Sequence, residues 1–334
     1  MIKKPVLLAC AVALAALPLY AQEGKPEYPS PPEIVAKAKA EEWVAIAPAD
    51  LLVMDLAPDA KGRARRVVIQ LMPAPFSQGW VGNIRKLAAA KWWDGTSINR
   101  VQDNYVVQWG DATEKKALPE GLAVVPESEY ISKVDHVLIG TGPTIHEPDI
   151  RLVQTSDRYA AGSGFTAGWA VAFDRGHGRF SKRDLAKNPQ SDISAAWPVH
   201  CYGMVGVGRN LSPDTGSGAE LYTVIGHAPR HLDRNIALVG RVIEGIEYLS
   251  SLPRGTGPLG FYDKEEERVP IASIRLASEM PPPADLKFEY LSTESESFAA
   301  YADARANRRD AFFNVPAGGA DICNIPVPVR RKAE

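Results

Sequence analysis

Short runs of β-branched and aromatic residues recur along most of this chain, and they do not alternate regularly with helices. These runs predict strands over 51–56, 66–71, 105–109, 200–207, 220–225, 236–242 and 269–276. A parallel α/β fold needs a crossover helix between successive strands, and these runs lack one. The chain is therefore predicted to be mainly β, as a barrel or a sandwich.

A few short helices are predicted around the strands. Residues 30–33 and 293–296 each have capping-box spacing, with Ser or Thr followed by Glu three residues later. The first box predicts a helix through residue 42, and the second a helix close to the C-terminus. Apolar residues at helical spacing predict two further helices, over 81–92 and 243–252.

The first residues have the pattern of a secretory signal. Lys3 and Lys4 precede an apolar run over 6–19, and a small residue, Ala21, follows it. The run is shorter than the roughly 18 apolar residues of a membrane span, and Pro18 interrupts it. The pattern predicts a signal peptide over 1–21 and an exported protein, in the periplasm if the source has two membranes.

The charge balance argues against a dedicated nucleic-acid binder. The chain has 38 Lys and Arg against 40 Asp and Glu. Removal of Lys3 and Lys4 with the signal leaves 36 against 40, a net charge of -4. A nucleic-acid-binding domain should show a basic excess or a basic stripe, and the sequence has neither. We expect no nucleic-acid partner, and no membrane span once the signal is removed.

The cysteines fit an exported chain. Of the three, Cys10 would leave with the signal, so Cys201 and Cys323 remain. An oxidising compartment permits a disulfide between them. Two buried free thiols are an equal alternative, because a sequence does not give the distance between their Cβ atoms.

Several familiar motifs do not indicate a site. Residues 255–260 match the spelling of a dinucleotide loop, but a helix precedes them and Pro258 stands where the next helix should begin. Pro229 argues against a helix that would carry His227 and His231 as metal ligands. Ser163 and Ser217 lie between glycines without the nucleophile-elbow pattern. We expect no metal site and no nucleophile.

Two blocks of sequence carry a family resemblance. Residues 93–111 contain an Asp-Gly-Thr turn, then Arg100, then Tyr105, Val106 and Gln108 before a Gly-Asp pair. The second block comprises 203–209, 220–222, 231–233 and 240–245. In order and spacing the two blocks resemble the cyclophilin-type peptidyl-prolyl isomerases, from about residue 67 to about 276. The stretch 112–199 between them is much longer than that family needs.

The resemblance implies the domain organisation. It implies a mainly β, closed antiparallel barrel of about eight strands with two capping helices, over 51–278, with an insertion at 112–199. An N-terminal extension with a short helix would occupy 22–50, and a C-terminal extension with a helix 279–334. The insertion or the C-terminal helix could also provide contacts to a partner subunit.

The resemblance also implies an activity, the isomerisation of X–Pro bonds in exported proteins, with no cofactor. Arg100 would be the catalytic residue, because a fixed cation with several N–H donors can stabilise the twisted amide. The implied substrate-binding residues are Tyr105, Val106, Gln108, Gly208, Arg209, Glu220, Tyr222, His231, Leu232 and Ile236. Its ligands would be proline-containing polypeptide segments.

Several positions depart from the family pattern. His231 stands where many members have tryptophan or another aromatic residue, Ile236 where they have histidine, and Glu220 where they have glutamine. Before the arginine, Ile98 stands in place of phenylalanine and Asn99 in place of histidine. Glu220 is expected to pair with Arg100 or Arg209, which would dampen activity. These departures and the long insertion support an alternative, a catalytically weak cyclophilin-like binding module or chaperone.

Overall fold

A computed structural model describes residues 28–133, 151–154, 157–176, 193–281 and 286–332. The strands, in chain order, are β1 (Trp43–Ala45), β2 (Leu51–Leu56), β3 (Arg65–Leu71), β4 (Ser97–Val101), β5 (Val106–Gly110), β6 (Ser132–Lys133), β7 (Arg151–Gln154), β8 (Gly162–Thr166), β9 (Trp169–Arg175), β10 (Ile193–Pro198), β11 (Met204–Val207), β12 (Leu221–Val224), β13 (Leu238–Glu244), β14 (Val269–Leu276), β15 (Phe288–Leu291) and β16 (Val329–Arg331). The α-helices are α1 (Pro31–Ala36), α2 (Gln78–Ala89), α3 (Glu247–Ser250) and α4 (Glu296–Ala306). The predicted signal peptide and parts of the predicted insertion lie outside these residues.

Eight strands close into an antiparallel barrel, which confirms the predicted fold class. Their order around the barrel is β11, β12, β5, β4, β14, β2, β3 and β13, and β13 pairs with β11 to close it. The strand β2 shows how the sequence specifies this. Leu52, Met54 and Leu56 alternate into the main core, whereas Leu51 and Val53 pack into a second apolar cluster on the opposite face.

The helix α2 covers the barrel core with one apolar face. Trp80, Ile84 and Leu87 recur at helical spacing and are fully buried in the main core. The indole N–H of Trp80 donates to the carbonyls of Thr215 and Gly216, both at 3.0 Å. The helix is thereby fixed to the loop that leads into β12.

Several predicted boundaries differ from the structure. The strand predicted from residue 200 begins at Met204, because a turn at 201–203 precedes it. The helix predicted over 243–252 shortens to α3, because β13 continues to Glu244. The N-terminal helix ends at Ala36 and a separate 3-10 turn follows at Ala40–Glu42. The predicted cap at Thr293 is wrong, since the hydroxyl of Ser295 accepts from the backbone N–H of Phe298.

The segment between β5 and β11 contains a sheet of its own. Its strand order is β6, β10, β9, β8 and β7, and all its pairs are antiparallel. Phe165 and Trp197 from this sheet pack with Phe298 and Tyr301 of α4 in one buried cluster. The apolar face of the C-terminal helix is therefore covered within the chain. A contact with a partner subunit elsewhere on these elements stays a prediction.

A disulfide joins Cys201 to Cys323, with 5.1 Å between their Cα atoms. Cys201 precedes β11 of the barrel, and Cys323 lies in the C-terminal extension in a 3-10 turn, Ile322–Asn324. Both half-buried cysteines pack against the cluster that contains Phe298. The covalent bond therefore links the C-terminal extension to the barrel.

A third sheet, β1–β15–β16, unites the two ends of the described chain. Arg241 of β13 connects it to the other two sheets. Its guanidinium donates to the carbonyl of Gly168 at 2.7 Å and to the side chain of Gln70, and lies 4.4 Å from the ring centroid of Trp169 and 6.0 Å from that of Tyr290. Burial lowers the pKa of Arg241 to about 10.

In the described part of the chain, none of the helices combines the length and the apolar character that a bilayer crossing needs.

Candidate active site

An open groove of about 820 Å³ lies on the outer face of β4, β5 and β12. Ten of the eleven predicted site residues line it: Arg100, Tyr105, Val106, Gln108, Gly208, Arg209, Glu220, Tyr222, Leu232 and Ile236. His231 does not line it; its side chain is exposed on the 3-10 turn Arg230–Leu232. The structure thus brings residues as far apart in the sequence as 100 and 236 to one surface.

Arg100 is fixed in the groove by neutral acceptors. Its Nε donates to the carbonyl of Leu259 at 2.8 Å, and its Nη1 donates to Oε1 of Gln108 at 3.1 Å. Its Nη2 donates to Oε1 of Gln102. Burial lowers the pKa of Arg100 from its usual value, but a guanidinium stays charged at any physiological pH. Within the described residues no carboxylate forms an ion pair with Arg100, so its charge is not neutralised by the protein.

Aromatic rings fix the guanidinium plane as well. The carbon Cζ of Arg100 lies 5.7 Å from the ring centroid of Tyr105 and 5.2 Å from that of Phe261. A cation held over two rings keeps one orientation. Three hydrogen bonds and two rings therefore pre-organise the group, and two of its five N–H bonds are left for a ligand.

An apolar wall forms the other side of the groove. Val106, Tyr222 and Val224 are buried in a small cluster separate from the barrel core, with Tyr105 and Ile236 packed against it. In the register of β5 and β12, Tyr222 lies opposite Gln108 and Val224 opposite Val106. Strand alternation thus places the apolar wall and the polar Gln108 on the same face.

A buried polar network lies behind this wall. The hydroxyl of Tyr222 is 2.8 Å from Nε2 of His200, and Nδ1 of His200 is 2.9 Å from Oδ1 of Asp233. A carboxylate can only accept, so Nδ1 donates to Asp233 and Nε2 accepts from Tyr222 in the neutral imidazole. Burial is the main cause that lowers the pKa of His200, which keeps the ring neutral.

The network extends to the inserted segment through Arg230. The Nε of Arg230 donates to Asp233 at 2.6 Å, and its terminal nitrogens donate to Asp157 at 3.1 and 3.2 Å. All three side chains are about 2 to 3% exposed. Arg230 and Asp233 flank Leu232, so the insertion fixes the segment that carries part of the groove wall.

The expected ion pair of Glu220 is wrong within the described residues. Arg209 instead donates to the carbonyls of Asn210 and Asn235, and Arg100 has the acceptors described above. Burial is the main cause that raises the pKa of Glu220 to about 7. Hydrogen bonds from the backbone N–H of Asp111 and from the amides of Gln108 and Asn99 oppose that shift.

Sequence reasoning missed several lining residues. Leu259 and Phe261 border Arg100, with 68% and 38% of their surface exposed. Leu259 lies within the glycine-rich segment 255–260 and Phe261 directly follows it. The sequence analysis found no site in this segment. Asn99 also lines the groove, at a bulge between Ile98 and Arg100 in the pairing of β4 with β5. The family motif does include the position of Asn99, directly before Arg100.

No group of three or more histidine, cysteine or acidic residues in the described ranges is arranged to hold a metal ion. The groove provides instead a fixed cation, amide groups and an apolar wall. Such a surface can bind a peptide and stabilise negative charge or a lone pair on it, and it contains no activated nucleophile.

The closed barrel and its arginine-bearing groove agree with one family of proteins. The family model described as cyclophilin type peptidyl-prolyl cis-trans isomerase/CLD matches residues 64–276, about two thirds of the sequence. The chain belongs to this family of isomerases.

Among solved structures, a cyclophilin named AquaCyp293 from Hirschia baltica is similar, with a TM-score of 0.61 and 20% identity over 89% of this chain and 100% of that one. A Cryptosporidium parvum cyclophilin type isomerase, solved in the presence of the dipeptide Ala-Pro, has a TM-score of 0.35 and 10% identity over 67% of this chain and 98% of its own. None of the curated proteins compared with the chain matches it significantly. The first structure therefore supports the fold, including the elements outside 64–276.

Proposed function

We propose that this protein isomerises X–Pro bonds in exported polypeptides, with Arg100 as the catalytic residue. The observation that carries the proposal is the guanidinium of Arg100, which neutral acceptors hold beside an apolar wall. Among the residues that the structure describes, no carboxylate neutralises it. Family membership supports the reaction. The predicted signal peptide supports export, and the periplasm if the source has two membranes.

The chemistry requires selective binding and no bond cleavage. Resonance raises the barrier to rotation about a peptide bond to roughly 18–20 kcal/mol. In the twisted state the prolyl nitrogen loses this resonance and gains a lone pair. A protein that binds the twisted amide more tightly than either planar form lowers the barrier.

Each part of the groove has a role in this mechanism. The remaining N–H bonds of Arg100 donate to the twisted amide, where their preset orientation avoids a reorganisation cost. The apolar wall, with Val106, Tyr222 and Leu232, holds the pyrrolidine ring while the preceding carbonyl rotates. Gln108 lies against Arg100 and offers its amide to the peptide backbone.

The test is the isomerisation rate of a proline-containing peptide with wild type, Arg100→Ala and Arg100→Lys. Removal of a donor aimed at developing charge costs about 10²- to 10³-fold in rate, so Arg100→Ala should lose that much in kcat/KM. Arg100→Lys keeps the charge but loses the planar fork, and should recover little.

Arg254→Ala is the matched control, because Arg254 pairs with the exposed Asp103 and does not line the groove. This variant should retain the wild-type rate. Equal rates for wild type and Arg100→Ala would contradict the proposed mechanism.

A second candidate function is a binding module or chaperone with weak catalysis. Ile236 lines the groove where many relatives have histidine, and this loss of a polar contact favours it. Peptide binding without acceleration above the uncatalysed rate would support this candidate over the enzyme.

A further inference from the structure

The groove contains a carboxylate that has no cationic partner among the described residues. Glu220 precedes β12 and lies directly over Gly110, the last residue of β5. A Cβ on Gly110 would overlap the carboxylate, so the space for Glu220 depends on glycine at this position. Glu220 also lines the groove together with Gln108 and Arg100.

No lysine or arginine in the described chain forms an ion pair with Glu220. Its neighbours are neutral donors, the backbone N–H of Asp111 and the amides of Gln108 and Asn99. Burial of a carboxylate without a counter-ion is unfavourable, and folded proteins usually pair such a group. The structure therefore offers no stability reason for an acid at this position.

A second acceptor without a partner lies beside it. Asn99 is 6% exposed and lines the same groove, and its Oδ1 is buried without a hydrogen-bond partner. Asn99 lies close enough to Glu220 to lower the pKa of that carboxyl, and its own amide oxygen remains able to accept a hydrogen bond. Two acceptors thus lie together, one of them an acid, and neither receives a cationic donor from the part of the chain that the structure describes.

The two acceptors fit an ammonium or guanidinium group of a peptide. We infer that Glu220 and Asn99 form a subsite for a lysine or arginine side chain near the substrate proline. The inference rests on the proposed function, because it assigns the substrate class of the same groove. The other charged groups that line the groove are Arg100, Asp111, Glu114, Lys116, Arg209, Asp214 and Arg268.

The geometry sets how the peptide would reach both sites. Gln108 contacts Arg100 on one side and Glu220 on the other, so the subsite is one side chain away from the catalytic residue. An extended peptide advances about 3.3–3.6 Å per residue. A basic side chain within three residues of the proline can therefore reach Glu220 while the prolyl bond lies beside Arg100.

The experiment compares short peptides that contain one proline and carry Lys, Ala or Glu at each of the three positions on either side of it. For wild type we expect one position at which Lys raises kcat/KM about tenfold over Ala and Glu lowers it, since a charged hydrogen bond contributes about that factor. Glu220→Gln, which has nearly the same shape, should abolish the preference.

Asp111→Asn is the matched control acid. Asp111 lines the same groove, but its carboxylate already accepts from the backbone N–H groups of Thr113, Lys115 and Lys116. This variant should keep the preference for Lys. The preference should also grow between about pH 6 and pH 8 in wild type, as Glu220 loses its proton. In Glu220→Gln it should be absent across the same range.

Affinity separates this inference from the proposed function. If no peptide is isomerised above the uncatalysed rate, the enzyme proposal fails, and the Kd values of the Lys and Ala peptides for wild type still decide the subsite. Equal Kd and kcat/KM for Lys, Ala and Glu at every position would overturn the inference. A Lys preference that persists in Glu220→Gln would overturn it as well.

Discussion

Substitution of Arg230 tests whether the inserted segment and the groove wall depend on one buried cation. Arg230 contacts Asp157 at 3.1 Å and Asp233 at 2.6 Å, and each carboxylate is about 3% exposed. Arg230→Met keeps much of the side-chain volume but leaves two buried carboxylates without a counter-ion. Removal of one partner from a buried ion pair lowers the free energy of unfolding by about 3–5 kcal/mol. We expect the upper end of that range for Arg230→Met, because two carboxylates lose their partner.

The single change Asp157→Asn should cost less, because Arg230 keeps its contact with Asp233. One charged hydrogen bond is lost, which corresponds to about 1.5–3 kcal/mol. The double variant Arg230→Met/Asp157→Asn should lose less free energy of unfolding than the sum of the two single losses. The reason is that Asp157→Asn removes one of the two charges that Arg230→Met leaves unpaired. Since Leu232 lies between Arg230 and Asp233, Arg230→Met should also raise KM for peptides.

Urea unfolding followed by tryptophan fluorescence measures these changes in the free energy of unfolding. Arg234→Met is the control, because Arg234 pairs with Asp174 at the surface and should change stability by less than about 1 kcal/mol. The reasoning is refuted if Arg230→Met destabilises the protein no more than Arg234→Met does. It is also refuted if the two single changes are simply additive.

Two further predictions concern the disulfide and the buried histidine. A crosslink across 122 residues of sequence restricts the unfolded chain. The double variant Cys201→Ala/Cys323→Ala should therefore lower the free energy of unfolding by about 5 kcal/mol, measured by urea unfolding. An unchanged urea midpoint would contradict this. His200 is buried and its pKa is lowered, so below about pH 6.5 the unfolded chain binds one more proton at this residue than the folded chain does. The contribution of His200 to the free energy of unfolding is therefore lost as the pH falls, with a slope of at most about 1.4 kcal/mol per pH unit. Because Glu220 titrates in the opposite sense, the readout is the difference between wild type and His200→Gln across pH 5 to 8; a difference that does not vary with pH would refute the prediction.

The sequence predicted the barrel and most of the groove because their signals are local. Arg100 and Gln108 are eight residues apart on two adjacent strands, and the register of β4 with β5 follows from the short turn between them. Tyr222 and Leu232 lie in runs whose spacing also matches the family. These lining residues could therefore be predicted without knowledge of long-range contacts.

The missed features depend on contacts between distant segments. Asp157 and Arg230 are separated by 73 residues, and His200 and Asp233 by 33, so no local pattern links them. The inserted sheet was missed because its strands are short and β8 contains two glycines, which weaken any strand signal. The ion pair expected for Glu220 failed for a similar reason, since the sequence does not show that Arg209 is occupied by the carbonyl of Asn235.

Arg241 limits how this protein can be re-engineered. A version trimmed to an ordinary barrel, with the inserted sheet replaced by a tight turn, would lose Gly168 and Trp169 and leave the guanidinium uncovered. Loss of β15 would remove Tyr290 from the same cation. A transplant of the inserted sheet into a smaller homologue would therefore have to include the arginine, its glutamine partner and the terminal sheet as one unit.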